Sequence, residues 1–192
     1  MTDDLRVRAA PIAASCLVAA AFLVGGCAGP GKSEAVADRP SAAAELEHTP
    51  GSSVNGTVRF VQKGDLVIIE ADLDGLTPNG THGFHIHETG DCSAPDASSA
   101  GGHFDPSASP HGGPEGEVRH GGDLGNLKAD ANGRARTSVK VAGISVDNGP
   151  DRIVGRAIVV HASPDDFRSQ PAGNSGARVA CGVINPSVEK AS

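Results

Sequence analysis

Histidine and aspartate side chains recur along the middle of the sequence at spacings that suit metal binding. His85 and His87 form an H-x-H pair. On a β-strand, side chains two residues apart project from the same face, so both imidazoles can reach one ion. Farther along, three histidines and one aspartate supply three nitrogens and one carboxylate oxygen: His103, His111, His120 and Asp123. That combination completes a tetrahedral ligand set for zinc.

A further histidine, His161, closes the apolar run 158–160. It could return to the H-x-H pair as another nitrogen ligand, and nitrogen ligands alone suit copper(II). Two other interpretations are open: an isolated H-x-H pair is often ordinary strand sequence, and histidines in a glycine-rich loop can be solvated polar residues. Six of the eight histidines follow this one pattern with an aspartate in step, which favours metal binding.

The composition is that of one domain with a core of small aliphatic side chains. The chain has 192 residues, a length that suits a single core. It contains 26 Gly, 13 Pro and five Phe, with no Trp and no Tyr, so Val, Ile, Leu and Ala must build the interior. The formal net charge of −7 argues against nucleic acid as a partner, because phosphate binding needs a basic face.

The N-terminus predicts export. Arg6 and Arg8 precede an apolar stretch over 9–24, and small residues stand directly before Cys27, which resembles the cleavage and acylation site of a lipoprotein. The alternative is a single transmembrane anchor, but the apolar run is shorter than the roughly 20 residues that a span needs. We therefore predict a lipoprotein signal peptide at 1–26, a flexible tether at 27–41 and a domain at 42–192. The protein would be extracytoplasmic, with Cys27 lipid-anchored to a bacterial membrane at the cell surface or in the periplasm.

Four cysteines are present, and two of them remain for pairing after this processing. Cleavage would remove Cys16, and Cys27 would carry the lipid. Cys92 and Cys181 are then an even pair in an exported chain, which predicts a disulfide. The alternative, two free buried thiols, is not favoured in an oxidising compartment.

Short runs of alternating apolar and polar residues predict about eight strands. They lie near 42–48, 56–62, 65–73, 81–88, 123–128, 134–141, 152–161 and 178–184. Lys63-Gly64 and Asn132-Gly133 are tight-hairpin signals, and 78–80 is a turn. No segment after the signal has a helical period, so we predict an all-β sandwich or flattened barrel. Two long irregular stretches, 89–119 and 162–177, are expected to be functional loops.

Five strings together resemble the copper/zinc superoxide dismutases, specifically the exported bacterial lipoprotein type. They are GFHIHETGDC at 83–92, GGHFDP at 101–106, HGGDLGNL at 120–127, IVVHASPDD at 158–166 and GNSGARVACGVI at 173–184. The resemblance covers roughly residues 42–186. It implies an immunoglobulin-like Greek-key sandwich of antiparallel strands. It also implies dismutation of superoxide, the small-molecule substrate, to dioxygen and hydrogen peroxide.

The resemblance also implies roles for individual residues. Copper would be held by His85, His87, His103 and His161, and zinc by His103, His111, His120 and Asp123. The redox-cycling copper and the structural zinc would share His103 as a bridge. Asp165 would hydrogen-bond one ligand of each metal, its alternative being a solvated loop acid. Arg178 would lie at the mouth of the copper channel and bind an anionic dioxygen species, its alternative being a surface arginine.

Some positions depart from the family pattern or stay open. Asp105 stands where the family usually has Asn, and Ala172 stands near a usual channel Thr. The second loop is short and weakly basic, with Arg168 as its only other cation, which leaves substrate steering open. His82 is read as structural, and His48 has no assigned role. Rival functions are a copper- and zinc-binding lipoprotein without turnover, a copper-only dismutase and a purely structural sandwich. The oligomeric state stays undetermined.

Overall fold

Nine β-strands lie within residues 40–187, the part of the chain that the computed structural model describes. The bounds are β1 (Ser41–His48), β2 (Asn55–Lys63), β3 (Leu66–Asp74), β4 (Thr81–His87), β5 (Asp123–Lys128), β6 (Ala135–Ala142), β7 (Ala157–His161), β8 (Arg178–Val183) and β9 (Asn185–Ser187), with a 3₁₀ turn at Ser98–Ala100. Within 40–187 no helix is long and apolar enough to cross a membrane. The predicted signal peptide, the lipidation site Cys27 and nearly all of the tether lie outside the described residues.

The strands form a flattened barrel of two antiparallel halves. One half has the order β1-β2-β3-β6 and the other has β5-β4-β7-β8, with β8 paired to the end of β1. The short β9 also pairs with β1. The end strands β5 and β6 approach each other without forming a ladder, so the barrel is nearly closed. This arrangement confirms the predicted all-β Greek-key architecture.

The apolar side chains that alternate along the strands fill the barrel. Val58 and Phe60 of β2, and Val67 and Ile69 of β3, point inward and are fully buried, whereas the residues between them face outward. The largest fully buried apolar side chains are Phe60, Phe84, Ile69, Leu73, Ile86, Leu127, Ile153, Ile158 and Ile184. Aliphatic residues therefore dominate the interior, as the composition predicts.

Strand β7 is buried along its whole length because both of its faces are covered. Ile158 and Val160 pack into the main core, while Ala157 and Val159 belong to a second, smaller apolar cluster. That second cluster also contains Ala97, Ala100, Cys181 and Cys92, which join the first long loop to the outside of the barrel. Burying a Val side chain contributes roughly 1.5–3 kcal/mol, so this cluster helps to hold the loop against the barrel.

Most strand predictions agree with the structure, but one strand boundary and one hairpin need correction. The strand predicted at 152–161 begins only at Ala157, because the chain turns at Gly155, which has φ +86°. The Asn132-Gly133 hairpin prediction is wrong. Gly133 does close a turn, donating its N–H to the carbonyl of Asp130 at 3.1 Å, but β5 and β6 on either side are not paired. This turn instead links the two open edges of the barrel.

The other hairpin prediction is confirmed, and one strand is added. Lys63 pairs with Leu66 across a two-residue turn in which Gly64 has φ +60°, a conformation that suits glycine. Sequence patterning misses β9, because Asn185–Ser187 is short, exposed and contains a proline.

The predicted disulfide is present between Cys92 and Cys181, with a Cα–Cα distance of 5.8 Å. Cys181 lies in β8 and pairs with Val159 of β7 and Glu47 of β1. Cys92 lies in the first long loop. The crosslink therefore fixes this loop to β8, which pairs with β7, one of the two strands that carry the histidines described next.

Candidate metal centre

Strands β4 and β7 place three histidines on one outer face of the barrel. In β4, Phe84 and Ile86 face the core, so His85 and His87 point to the opposite side. His85 pairs with Val159 in β7. His161, two residues after Val159, lies on that same outer face. The H-x-H pair and the distant histidine are therefore brought together, as predicted.

Two groups of buried ligands result, and both contain His103. In each group the candidate ligand atoms lie within 4.8 Å of one another. The first group is His85, His87, His103 and His161; the second is His103, His111, His120 and Asp123. Loops supply three of these side chains, and Asp123 is the first residue of β5. The structure thus assembles every residue that the sequence nominates as a ligand.

Backbone carbonyls set the protonation of two imidazoles in the first group. His87 Nδ1 donates to the carbonyl of Gly101 at 2.9 Å, and His161 Nδ1 donates to that of Gly176 at 3.2 Å. The opposite nitrogens, Nε2 of each ring, are then unprotonated, and they lie 3.4 Å apart. Two lone pairs facing each other at this distance repel unless a cation lies between them.

The other two imidazoles of this group also present bare nitrogens. His85 Nε2 donates to Asp165 Oδ2 at 2.8 Å, which leaves Nδ1 without a proton. His85 Nδ1 and His103 Nε2 are both buried, and neither has a hydrogen-bond partner among residues 40–187. Buried polar atoms are normally paired, so these two nitrogens fit a role as metal ligands. The nitrogen-only set suits copper.

Burial keeps three imidazoles of the first group neutral. It lowers the pKa of His85 from 6.5 to about 4, although the hydrogen bond with Asp165 partly opposes the shift. Burial likewise lowers the pKa of His87 to about 2 and that of His161 to about 3. Neutral imidazole is the form that binds metal, so these ligands are ready near neutral pH without losing a proton.

The second group converges on one carboxylate oxygen. Asp123 Oδ1 lies 2.8 Å from Nδ1 of His103, 3.0 Å from Nδ1 of His111 and 3.2 Å from Nδ1 of His120. Ligand atoms around a tetrahedral zinc, each at ~2.0 Å from the ion, are ~3.3 Å apart. Asp123 Oδ2 is occupied separately, since it accepts the main-chain N–H groups of Gly112 and His120. The donor set and spacing fit zinc.

Both carboxylates of the site stay ionised despite their burial. Burial alone would raise the pKa of Asp123, but hydrogen bonds from His103 and from the N–H of Gly112 lower it well below its ordinary range. Burial also opposes ionisation of Asp165, and the hydrogen bond from His85 outweighs it, so this pKa is lowered as well. Two negative charges therefore lie beside six imidazoles, an environment that attracts cations.

Asp165 joins the two groups. Its Oδ2 accepts from His85, and its Oδ1 lies 3.0 Å from Nε2 of His111. Asn126 holds the main chain of Asp165 through two hydrogen bonds: Asn126 Nδ2 donates to its carbonyl at 2.9 Å, and Asn126 Oδ1 accepts its N–H at 2.8 Å. The sequence pattern did not single out Asn126, although it lies three residues after Asp123 in HGGDLGNL at 120–127. Asp166 is exposed and bonds its own loop, as expected of a loop acid.

Arg178 lies beside the first group, at the start of β8. Its two Nη atoms donate to the carbonyls of Ala97 and Gly101. The carbonyl of Gly101 also accepts from His87, so one oxygen ties the guanidinium to the histidine cluster. Burial lowers the pKa of Arg178, with Asp96 opposing the shift, yet a guanidinium stays charged at physiological pH. A half-buried cation therefore borders the first ligand group.

The remaining flagged positions have structural explanations. His82 is buried, and its Nδ1 donates to the carbonyl of His161 at 2.9 Å, in agreement with a structural role. His48 is exposed at the end of β1. Asp105 Oδ1 accepts the N–H of Ser107, a contact that Asn would also make, so the departure at 105 leaves the turn intact.

Comparison with known proteins agrees with this geometry. The profile described as "Copper/zinc superoxide dismutase (SODC)" matches residues 54–184. "Superoxide dismutase [Cu-Zn]" of Paramecium bursaria Chlorella virus 1 is 47% identical over 137 residues, which are 68% of this chain and 72% of that protein. "Extracellular superoxide dismutase [Cu-Zn]" of Brugia pahangi is 41% identical over 146 residues, 71% of this chain and 72% of that protein. With both ligand groups assembled and the profile spanning the barrel and its loops, this chain belongs to the copper/zinc superoxide dismutase family.

Proposed function

We propose that the chain dismutates superoxide, converting two superoxide anions and two protons to one dioxygen and one hydrogen peroxide. In this proposal copper is held by His85, His87, His103 and His161, and zinc by His103, His111, His120 and Asp123. The observation that carries it is the position of His103. Its Nδ1 is 2.8 Å from the carboxylate of the second group, and its Nε2 is buried beside the first with no hydrogen-bond partner in the described part of the chain.

Copper, when bound, supplies a one-electron couple that oxidises one superoxide and reduces the next, and zinc is redox-inert. The chain's own residues do the rest. Nε2 of His103 holds and gives back a proton for the peroxide product, while Nδ1 remains directed at Asp123. Asp165 keeps His85 and His111 in fixed orientations, because a hydrogen bond to the far nitrogen sets the direction of an imidazole ligand.

Arg178 is proposed to bind and guide the substrate. Its guanidinium is held by two loop carbonyls beside His87, and it can still offer N–H groups to an anion. The whole chain carries a net charge of −7, which opposes the approach of superoxide. A local positive site is therefore needed for fast association, and Arg168 in the second loop is a candidate to add to it.

The experiment measures metal content and superoxide consumption on the same protein, loaded with both metals. We expect one copper and one zinc per chain and a second-order consumption of superoxide that disappears when the metals are removed. Copper alone under zinc-replete conditions would favour the copper-only dismutase. Both metals without consumption above the metal-free control would favour the lipoprotein that binds metal without turnover.

We further propose that the enzyme is an exported bacterial lipoprotein. Residues 1–26 would be the signal peptide, Cys27 the acylated residue, 27–41 the tether and 42–192 the catalytic domain. Support comes from the small residues before Cys27 in the sequence. The name of the Brugia pahangi relative, which calls that protein extracellular, points in the same direction. A tether of this length would leave the metal centre free in the aqueous compartment.

A further inference from the structure

The side-chain amide of Gln170 pairs with both main-chain polar groups of His111. Gln170 Oε1 accepts the N–H of His111 at 2.8 Å, and Gln170 Nε2 donates to the carbonyl of His111 at 2.9 Å. The two residues are 59 positions apart. This reciprocal pair is what a neighbouring strand would provide, and it fixes both the position and the rotation of the His111 backbone.

His111 has need of such support because it lies in a long loop without a strand partner. Its neighbours are Pro110 on one side and Gly112 and Gly113 on the other. Two successive glycines give the backbone wide conformational freedom. Yet the His111 ring must present Nδ1 to Asp123 Oδ1, at 3.0 Å, for the second ligand group to close.

The loop that carries Gln170 is itself rigidly bonded. Asp166 accepts the N–H groups of Arg168 and Ser169 and the hydroxyl of Ser169. Gly173 donates its N–H to the carbonyl of Ser169 and accepts from the N–H of Asp166. Although Gln170 is exposed overall, it projects from a segment in which these five bonds leave little freedom.

One short loop therefore holds His111 twice. Asp165 binds the far nitrogen of its ring, and Gln170 binds its backbone. We propose that Gln170 is a positioning residue for zinc: it aims Nδ1 of His111 into the second ligand group without touching the ion. This inference rests on the proposed zinc assignment, and it assigns the short second loop a task besides guiding substrate.

Gln62 provides a matched control, because its amide also joins two backbone segments. Gln62 Oε1 accepts the N–H of Val146 at 2.9 Å, and its Nε2 donates to the carbonyl of Gly64 at 2.7 Å. Gln62 lies in β2, on the half of the barrel opposite β4 and β7. Each amide also donates to a further main-chain carbonyl at 3.4 Å, that of Arg168 for Gln170 and that of Leu66 for Gln62. Replacing either glutamine by methionine therefore keeps the side-chain length and removes three comparable hydrogen bonds.

The test is an equilibrium competition for zinc between the copper-loaded protein and a zinc-chelating dye, for wild type, Gln170→Met and Gln62→Met. We expect Gln170→Met to bind zinc ~10–100-fold more weakly, the usual effect of losing a group that orients a ligand. Gln62→Met should stay within about twofold of wild type. The visible spectrum of Co²⁺ bound in place of zinc should broaden only in Gln170→Met, since a loosened ligand distorts the tetrahedron.

The outcomes separate this inference from the proposed function. Equal zinc affinity in wild type and Gln170→Met, or equal weakening in both methionine variants, would overturn the positioning role alone. A wild type that holds no zinc would overturn the zinc assignment itself. Gln170→Asn, which keeps the amide but is one methylene too short to reach His111, should match Gln170→Met, and wild-type affinity there would also count against the inference.

Discussion

At the scale of single residues, the centre depends on which ring nitrogen of each histidine is already occupied. His85 and His111 use Nε2 on Asp165, and His87 and His161 use Nδ1 on backbone carbonyls. The free nitrogens of His85, His87 and His161 face the first ligand group, and that of His111 faces the second. Sequence spacing could predict which residues are ligands, because an H-x-H pair on a strand has a fixed geometry. It could not reveal the hydrogen-bonded nitrogens, which depend on the paths of the loops.

Arg178 provides the first prediction at this scale. Arg178→Gln should lower the second-order rate with superoxide by about tenfold, because the local positive field is lost while both metals remain bound. Stopped-flow or pulse-radiolysis rates with parallel metal analysis would measure this. Added salt should slow the wild type, as the Debye length falls to about 8 Å at physiological strength, and should slow the variant less.

Arg168→Gln serves as the control for this change, since Arg168 is exposed and its backbone N–H bonds Asp166. It should reduce the rate less than Arg178→Gln. If Arg178→Gln keeps both the rate and the salt dependence of wild type, Arg178 is only a surface residue.

Gly173 provides a second prediction. It has φ +63°, and a Cβ there would collide with Asp165 Oδ1 and with His111 Nε2, the two atoms that join in a hydrogen bond. Gly173→Ala should therefore lose most of its zinc, as measured by elemental analysis. Gly64→Ala is a matched control, because Gly64 has φ +60° with open space around it. It should cost about 1 kcal/mol of stability from the backbone alone and keep both metals. Equal zinc content in the two variants would contradict the account.

At the scale of elements, strands and loops together position the metal ligands. Strands β4 and β7 are central in their half of the barrel and buried, so they fix three of the four residues of the first ligand group. The loops supply the three histidines of the second group, and β5 supplies Asp123. The strands were largely predictable from alternation in the sequence. The failed hairpin at Asn132-Gly133 shows the limit: a local turn signal cannot say whether the strands it joins belong to the same half.

The sequence could predict that the two long loops are functional, but it could not predict the hydrogen bonds that hold them. Neither Asn126 nor Gln170 stands out in the sequence, since a side-chain amide in a polar segment has no special pattern. Their roles arise only when segments about 40 and 59 positions apart come together. Contacts at such separations depend on the folded topology rather than on local propensity.

The disulfide is predicted to hold the first long loop in place, and this role can be tested. Replacing both Cys92 and Cys181 by Ser should lower the free energy of unfolding by up to about 4.6 kcal/mol, the chain-entropy value for a loop of this length. Activity should fall as well, because the loop carries the carbonyls of Ala97 and Gly101 that hold Arg178. Denaturant unfolding and superoxide assays would measure both effects. A double variant with unchanged activity would show that the apolar cluster under the loop suffices.

At the scale of the whole molecule, a negatively charged barrel carries an anion-consuming centre. The net charge is −7, and Arg178 is the cation beside the first ligand group in the described part of the chain. If Arg178 guides superoxide as proposed, its local field acts against an unfavourable global one. Membrane attachment, as proposed through Cys27, would add the surface charge of the lipid to this balance.

The proposed anchor is tested by Cys27→Ser in the full chain. The variant should not incorporate labelled fatty acid, and it should move from the detergent phase to the aqueous phase in a partition assay or remain as the uncleaved precursor. Stable anchoring needs more than one acyl chain, which an acylated lipoprotein cysteine supplies. Cys16→Ser is the control and should behave as wild type. Unchanged lipid incorporation in Cys27→Ser would refute the lipoprotein assignment.

The sharing of His103 by both metals is the central claim, and copper EPR tests it most directly. The spectrum of the wild type with one copper per chain should change when zinc is removed, because Nδ1 of His103 loses its partner and the donor strength of Nε2 to copper changes with it. In His103→Ala the copper spectrum should be the same with and without zinc. An identical wild-type spectrum with and without zinc, at one copper per chain, would contradict the shared ligand.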